Sequence, residues 1–243
     1  MTYCVGLKID RGLVFMSDTR TNAGIDSIST FRKMHVWEEP GERVLVLMSA
    51  GNLATTQAVV SLLDERSKAV SDRSHTLLET PSMYQTAALV GSVVKEVIAN
   101  ASPTGQSADS YFNASFVLGG QIRGTEPRLF MIYPEGNFIE STEDTPFFQV
   151  GETKYGKPIL VRAYDKTMSF AETVKLLMVS FDSTLKSNLS VGLPLDLTFY
   201  EKDTFKVGLQ RRINQDDPYY RQISEGWSDA LKMAFKSLPD FVE

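Results

Sequence analysis

The order of strand and helix patterns in this 243-residue chain predicts an α+β fold. The strand patterns form two groups, and a pair of helix patterns follows each group. Such an arrangement buries its apolar faces best as two stacked antiparallel sheets with a helix pair on each outer side. Because no linker, repeat or low-complexity segment divides the sequence, we expect a single domain over residues 1–243, a four-layer αββα sandwich.

Composition and charge exclude several kinds of partner. The net charge is −5 and no basic cluster is denser than Arg211–Arg212, so we expect no nucleic-acid partner. Cys4 is the only cysteine and the chain has two histidines, so we expect no disulfide, no bound metal and no cofactor. Without a run of ~18 apolar residues or a cleavable signal, we expect no membrane contact and a cytoplasmic protein.

The first strand pattern sets the direction of Thr2. Strand patterns of the first group lie at 2–9, 13–18, 31–37 and 43–49. In the first of these, the large residues Tyr3 and Val5 alternate with Thr2, Cys4 and Gly6, so the two sets point to opposite faces. Thr2 therefore shares its face with small side chains, which leaves room beside its hydroxyl. Cys4 is expected to be a small core residue.

The remaining elements complete the layers. One helix pattern runs from residue 51 to about 70, and a second covers about 80–100 with Thr80 as N-cap and Pro81 at its first position. Ser169 and Glu172 fit a capping box. Later strands are predicted at 113–122, 127–133, 136–141, 146–150 and 193–202, and later helices at about 153–164, 169–186 and 218–238.

Thr2 is the first candidate for chemistry. If Met1 is removed, Thr2 becomes the N-terminal residue and has a hydroxyl nucleophile and a free α-amine. The amine, with an ordinary pKa of roughly 7.7–8.0, can act as the base for that hydroxyl. Many proteins begin with Met-Thr and are not enzymes, so the dipeptide alone is weak evidence.

Three further signals follow Thr2 along the chain. Asp18 ends the second strand pattern with Arg20 two residues later, which alone is typical of a turn. Lys33 lies mid-strand on the same face as His35, where a lysine is usually solvated; if buried, it requires a carboxylate partner, and Asp18 is a candidate. Gly51 joins an apolar strand to a helix start, where backbone amides favour a developing anion.

Together these residues resemble the proteasome-type N-terminal-nucleophile hydrolases. The matching features are a terminal Thr, a second strand ending Ser-Asp-x-Arg-x-x-x-Gly, a strand Lys, and Ser-x-Gly before a long helix. The runs Ser-Asp-Thr-Arg-Thr-Asn-Ala-Gly, Phe-Arg-Lys-Met-His-Val and Val-Gly-Glu-Thr-Lys-Tyr-Gly-Lys-Pro-Ile-Leu are most similar to the bacterial Anbu, or ancestral beta subunit, branch. The resemblance covers essentially the whole chain.

The resemblance implies roles for particular residues. Thr2 would be the nucleophile, and Lys33 would lower the barrier electrostatically with Asp18 as its partner. The backbone N–H of Gly51 would bind the oxyanion. Ser190 matches a downstream serine that the family keeps.

The same resemblance implies a substrate-binding region and two departures. The backbone at Asn22 would pair with an extended peptide, and Ser49 and Leu53 would line a pocket that we expect to be small or apolar. Glu152 stands where proteasome subunits have a hydroxyl, and Ser187 where they have an aspartate. We therefore expect an altered proton network that includes Glu152 and Ser187.

The sequence accordingly predicts an amide-bond hydrolase, a peptidase, acting within a homo-oligomer of one subunit type on a peptide or amide substrate. The alternatives are a scaffold that has lost its chemistry and a small-molecule amidase with the same mechanism. Retention of Thr2, Asp18, Lys33 and Gly51 together favours an enzyme. The chain has no ATP-binding Gly-x-x-x-x-Gly-Lys-Ser/Thr loop, so a possible unfoldase would be a separate protein. The small residues of helix 80–100 are the predicted subunit contact.

Overall fold

The structure, a computed structural model, describes residues 2–22, 28–68, 76–101 and 112–242, and only the backbone at positions 22 and 28. Met1, Gly24 of the predicted motif and most of the loop predicted over 102–112 lie outside the described residues. The strands are β1 (Tyr3–Ile9), β2 (Gly12–Asp18), β3 (Arg20–Asn22), β4 (Ile28–Thr30), β5 (Met34–Glu39), β6 (Arg43–Gly51), β7 (Ala114–Ile122), β8 (Arg128–Ile132), β9 (Phe138–Glu140), β10 (Phe147–Gly151), β11 (Leu195–Glu201) and β12 (Leu209–Ile213). The helices are α1 (Leu53–Lys68), α2 (Met83–Ala101), α3 (Lys157–Ala163), α4 (Phe170–Ser187) and α5 (Pro218–Lys236).

Two large antiparallel sheets form the centre of the molecule. The first has the order β10-β1-β2-β11-β12 and the second the order β5-β6-β7-β8-β9, while β3 and β4 form a separate hairpin. Three clusters of buried apolar side chains fill the spaces between the layers. One joins the second sheet to α1 and α2, one joins the first sheet to α3, α4 and the start of α5, and one lies between the sheets. The predicted αββα sandwich is confirmed.

The register of β1 fixes which way the start of the chain faces. Tyr3 and Val5 are fully buried in the cluster next to α4, whereas Cys4 is buried in the cluster between the sheets. The predicted alternation is therefore confirmed, and it orients the chain at Thr2 toward the second sheet. β1 lies between β2 and β10, so its first residues are held on both sides.

Several helix starts follow the predicted capping chemistry, and one does not. The capping box of Ser169 and Glu172 is present at the start of α4. The predicted Thr80 and Pro81 cap is wrong, because α2 begins at Met83. Thr80 is buried, and its hydroxyl is used inside the fold, on the Leu77 carbonyl. Within the described residues, no helix has the length and apolarity that a bilayer span requires.

The small residues of α2 are divided between the interior of the subunit and its surface. Ala87 is fully buried, and Gly91 is buried so close to Gly136 that a Cβ at position 91 would lie 2.2 Å from the Gly136 carbonyl oxygen. Ala88 and Ser92 are exposed. The small-residue stripe predicted as a subunit contact is therefore divided between packing and surface.

Candidate active site

Thr2 lies just before β1 and is held by the backbone on both sides. The residue is 8% exposed, and its carbonyl accepts a hydrogen bond of 2.7 Å from the backbone N–H of Glu152. Gly151 allows this close approach, since a Cβ there would lie 1.9 Å from the Thr2 carbonyl oxygen and its φ is +88°. Only glycine adopts such a conformation without strain. The edge strand β10 thus fixes the position of Thr2.

A buried ion pair lies beside the start of β1. The Lys33 ammonium is 2.7 Å from Asp18 Oδ1, and the two side chains are 6% and 0% exposed. Lys33 also donates to the carbonyl of Arg20 at 2.6 Å. The carboxylate partner that a buried lysine requires is therefore Asp18, as the sequence suggested.

Asp18 connects this ion pair to the nucleophile candidate. Its Oδ1 also accepts from the backbone N–H of Tyr3 at 3.0 Å, and its Oδ2 accepts from the N–H of Gly192 at 3.4 Å. Burial raises the pKa of the Asp18 carboxyl above its ordinary value, while Lys33 and the two N–H groups favour the ionised form. One carboxylate therefore positions a cation and the residue that follows Thr2.

The predicted mid-strand position of Lys33 is wrong. β5 begins only at Met34, so Lys33 belongs to the irregular segment before it and does not continue its alternation. Trp37 of the same strand faces α1, where its indole donates to Asp64 at 2.7 Å. Lys33 lies outside the strand, so its side chain does not have to project on the face of β5 that His35 and Trp37 share. It extends instead to Asp18 of the other sheet.

Gly51 lies at the junction predicted for the oxyanion site. It has a φ of +122°, and a Cβ would lie 2.2 Å from the Asn113 carbonyl oxygen, so this turn requires glycine. Two residues earlier, the N–H of Ser49 donates to the Lys33 carbonyl at 3.0 Å. Gly51 ends β6 and Leu53 begins α1, where Asn52 caps the helix by accepting from the Thr55 N–H at 3.0 Å. The hydrogen bond from Ser49 therefore links the backbone at Lys33 to the strand that ends at Gly51.

A cavity of ≈ 400 Å³ lies next to Ser49, between β5, β6 and α1. The expectation that Ser49 and Leu53 line a small or apolar substrate pocket stays a prediction; Ser49 lines this cavity. Leu53 does not line it, and the lining contains one cation, one carboxylate, an imidazole and several hydroxyls. The lining residues are Phe31, Arg32, His35, Ser49, Thr56, Gln57, Val60, Ser61 and Asp64. Burial lowers the pKa of His35 below its ordinary value, so the imidazole is neutral at pH 7.

Glu152 belongs to a hydrogen-bonded chain that the sequence did not reveal. Its side chain is buried, and Oε2 accepts from Asn188 Nδ2 at 2.9 Å. Asn188 Oδ1 in turn accepts from the N–H of Ser190 at 2.9 Å. Ser187 does not join this network: it is exposed, and its hydroxyl donates to the Ser183 carbonyl of its own helix. Asn188, which follows directly in the chain, occupies the place we expected for Ser187.

The loop after α4 is tied to the segment after β2. The Arg20 guanidinium donates to the Leu189 carbonyl at 2.9 Å and lies against Gly192, where a Cβ would come within 2.3 Å of it. Thr19 donates to the Pro194 carbonyl at 2.7 Å. Arg20 was singled out in the sequence only as a turn residue. The backbone carbonyl of Arg20 binds Lys33, and its guanidinium binds the loop that contains Ser190.

Asn22 ends β3, and its backbone pairs with Ile28 of β4. The hairpin therefore begins immediately after the segment that binds Lys33. Whether an extended substrate pairs with this backbone stays a prediction.

These features define a class of proteins: an αββα sandwich with a threonine before the first strand and a buried lysine–aspartate pair beside it. The sequence profile described as "Proteasome subunit" matches residues 2–193. No match is found among curated proteins. The chain belongs to the proteasome-subunit family, in its Anbu branch, as the following solved structures show.

A Gly-1 mutant of Anbu from Hyphomicrobium sp. strain MC1 is 53% identical, with 100% of both chains covered and a TM-score of 0.93. Anbu, described as ancestral beta-subunit, from Yersinia bercovieri is 48% identical over 99% of this chain and 100% of the other, with a TM-score of 0.92. A helical assembly of the Anbu complex from Pseudomonas aeruginosa is 45% identical over 99% and 98%, with a TM-score of 0.92.

Proposed function

We propose that this protein is an amide-bond hydrolase whose nucleophile is Thr2 once that residue is N-terminal. The observation that supports this best is the shared oxygen of Asp18, which accepts from both the Lys33 ammonium and the Tyr3 N–H. A buried ion pair is often no more stabilising than apolar side chains of similar volume. A scaffold without chemistry would have little reason to keep one beside the start of β1.

In the proposed reaction, the Thr2 hydroxyl attacks the amide carbonyl carbon and passes its proton to the Thr2 α-amine. The C–N bond then breaks as the ammonium protonates the leaving amine, which leaves an ester on Thr2. Water, activated by the same amine, cleaves the ester and restores the hydroxyl. The Lys33 cation would stabilise the developing alkoxide, and the Gly51 N–H would stabilise the oxyanion.

We further propose that an extended substrate pairs with the backbone at Asn22 and that one of its side chains enters the cavity beside Ser49. The mixed donors and acceptors of that cavity favour a polar side chain, because an apolar one would leave them unpaired. A panel of fluorogenic peptides that differ only at the residue before the scissile bond tests this. Faster turnover with leucine or phenylalanine than with glutamine would contradict it, and activity only on a non-peptide amide would favour the small-molecule alternative.

Covalent labelling tests the nucleophile. A β-lactone or epoxyketone probe should add to the N-terminal peptide of the wild-type protein and not to Thr2→Ala, while Thr2→Ser should retain labelling. Intact mass must first show that Met1 is absent, since a blocked amine cannot act as the base. If a protein with a free Thr2 amine takes up no label from either probe and cleaves no amide, the scaffold alternative is favoured.

We also propose that the chain forms a homo-oligomer of one subunit type. The Pseudomonas aeruginosa relative is described as a helical assembly. In this chain α5 and the residues after it expose large apolar side chains, and contiguous exposed apolar surface is typical of protein contacts. They are Leu231, Met233, Phe235, Leu238, Phe241 and Val242. Phe235→Glu should shift the light-scattering mass toward the monomer, whereas Lys236→Glu, at the next position, should not.

A further inference from the structure

A small cavity rich in arginine lies at the β12 edge of the first sheet. It measures ≈ 220 Å³, and its lining residues are Arg32, Met34, Asp196, Gln210, Arg211 and Arg212. We call it the arginine cavity. It is separate from the cavity beside Ser49, although Arg32 lines both. Neither the proposed reaction nor the substrate-binding region uses it.

Two of the three guanidinium groups are held in fixed orientations. Arg212 binds Asp196 through two parallel contacts, Nε to Oδ1 at 2.8 Å and Nη2 to Oδ2 at 2.9 Å. Arg211 Nη2 lies 2.5 Å from Asp217 Oδ2, and that carboxylate also caps α5. A guanidinium that is already fixed loses less rotational freedom when it binds a ligand.

The third guanidinium, that of Arg32, is exposed at the surface. Within the part of the chain that the structure describes, the Arg32 side chain makes no hydrogen bond or ion pair. Each guanidinium has five N–H donors, and the contacts above use two on Arg212 and one on Arg211. Arg211 follows Gln210 and precedes Arg212 on β12, so its side chain projects to the opposite face of the sheet, where Asp217 compensates its charge. Arg32 and Arg212 face one lining carboxylate, Asp196, so the cluster keeps a positive charge and most of its donors.

Two buried hydroxyls lie on strands that contribute to the cavity or pair with it. Ser17 and Thr198 are fully buried, and within the described residues their hydroxyl oxygens make no hydrogen bond. Ser17 is the cross-strand partner of Asp196, and Thr198 is the cross-strand partner of Gln210. Paired residues of a sheet project on the same side, so the two hydroxyls share the sheet face of Asp196 and Gln210, although neither hydroxyl lines the cavity itself. Buried polar groups without partners are rare in native proteins.

We propose that the arginine cavity binds an oxyanion, a carboxylate or a phosphate. Arginine forks match the planar or tetrahedral oxygens of these groups, and the volume suits one such group with its immediate neighbours. Arg32 directly precedes Lys33, so the anion lies close to the candidate active site along the chain. Two sources share this chemistry: a carboxylate of the amide substrate, or a free small anion. Anion binding itself does not depend on the proposed hydrolase function.

Binding is measured with inorganic phosphate and with glutarate by calorimetry, against sodium chloride at equal ionic strength. Phosphate or glutarate should bind to the wild type, and Arg32→Gln should weaken that binding about tenfold or more, since charge-assisted hydrogen bonds are lost. Arg162→Gln removes the same charge from the exposed face of α3 and should bind as the wild type does. Arg211→Gln should weaken binding much less, because the Arg211 guanidinium binds Asp217 on the opposite face of β12.

The two sources are distinguished with matched probes. If the site takes a substrate carboxylate, peptides with an acidic residue should label or turn over faster than their glutamine analogues, phosphate should inhibit, and Arg32→Gln should remove both effects. If it takes a free anion, phosphate should bind without that preference. No binding above the chloride control, or equal binding by Arg32→Gln and Arg162→Gln, would overturn the proposal whatever the hydrolase assays show.

Discussion

The Lys33 ammonium lies 2.7 Å from Asp18 Oδ1, and this contact joins the two sheets of the sandwich. Asp18 ends β2 of the first sheet, and Lys33 directly precedes β5 of the second. Fifteen residues separate the two in sequence. The same carboxylate oxygen accepts from the Tyr3 N–H, so the ion pair also fixes the backbone that directly follows Thr2.

Removing the charge of Lys33 should abolish the chemistry. We expect Lys33→Ala to lower Thr2 labelling about 100-fold or more, as loss of a group that stabilises transition-state charge does. Lys33→Arg should lose nearly as much, because a planar fork cannot replace a compact ammonium. Rates of probe addition measured by intact mass check this.

Folding must be separated from chemistry in that experiment. Lys33→Ala leaves Asp18 buried without its partner, which typically costs about 3–5 kcal/mol. The double variant Lys33→Met with Asp18→Asn removes both charges and should unfold close to the wild-type temperature, yet remain unlabelled. Wild-type labelling of this folded double variant would show that the ion pair is only structural.

Neighbouring positions after α4 should behave differently. Asn188→Ala removes the amide that binds the buried Glu152, so we expect a loss of about 1–3 kcal/mol in unfolding free energy and slower labelling of Thr2. Ser187→Ala should change labelling little, because in the part of the chain that the structure describes the Ser187 hydroxyl bonds to its own helix. Equal effects of the two variants on labelling would mean that the Glu152–Asn188 contact has no part in positioning the site.

A methyl group at Gly151 should displace Thr2. Gly151→Ala places a Cβ 1.9 Å from the Thr2 carbonyl oxygen at a φ of +88°, so we expect loss of stability and of labelling. Gly226→Ala, in the middle of α5, is the matched control. Its Cβ meets none of the described residues within 4 Å, and it should stabilise by about 0.5–1 kcal/mol. Thermal unfolding and labelling of both variants check the pair; full labelling of Gly151→Ala would refute the close contact.

Cys4 should be unreactive in the folded protein. Burial is the main reason that the pKa of its thiol is raised above the ordinary value, so little thiolate forms at neutral pH. We expect no reaction with a disulfide reagent under native conditions and one thiol per chain after denaturation, since Cys4 is the only cysteine. Rapid native reaction would mean that the space between the sheets is open to solvent.

Stability should fall on acidification through His35. Because burial lowers the folded-state pKa of His35, the unfolded chain binds more protons between that pKa and about 6.5. Stability from this group is therefore complete above pH 6.5 and decreases below it, by at most about 1.4 kcal/mol per pH unit. His35→Gln should flatten this part of the profile in urea unfolding from pH 7.5 to 5. An unchanged slope would show that His35 does not titrate in this range.

Local patterns predicted much of the layered fold but not every edge. The alternation of β1 and the capping box of α4 depend on near neighbours, and both are visible in the sequence. β12 was missed because Leu-Gln-Arg-Arg-Ile lacks an apolar alternation, and four of its five residues are exposed at the edge of the sheet. The Thr80 cap was predicted wrongly because Thr80 is buried, which its neighbours in sequence do not show. Its hydroxyl binds the Leu77 carbonyl inside the fold.

The sequence by itself determined that Thr2 lies at the start of the first strand, that small residues alternate with large ones along that strand, and that an aspartate, a lysine and a glycine follow in the order of the proteasome-subunit family. Only the tertiary structure decided that Lys33 leaves its strand to meet Asp18, that Asn188 and not Ser187 joins Glu152, and that three arginines surround one cavity. Spacing along a strand or helix is set by local backbone geometry, whereas contacts between distant segments depend on how whole layers pack.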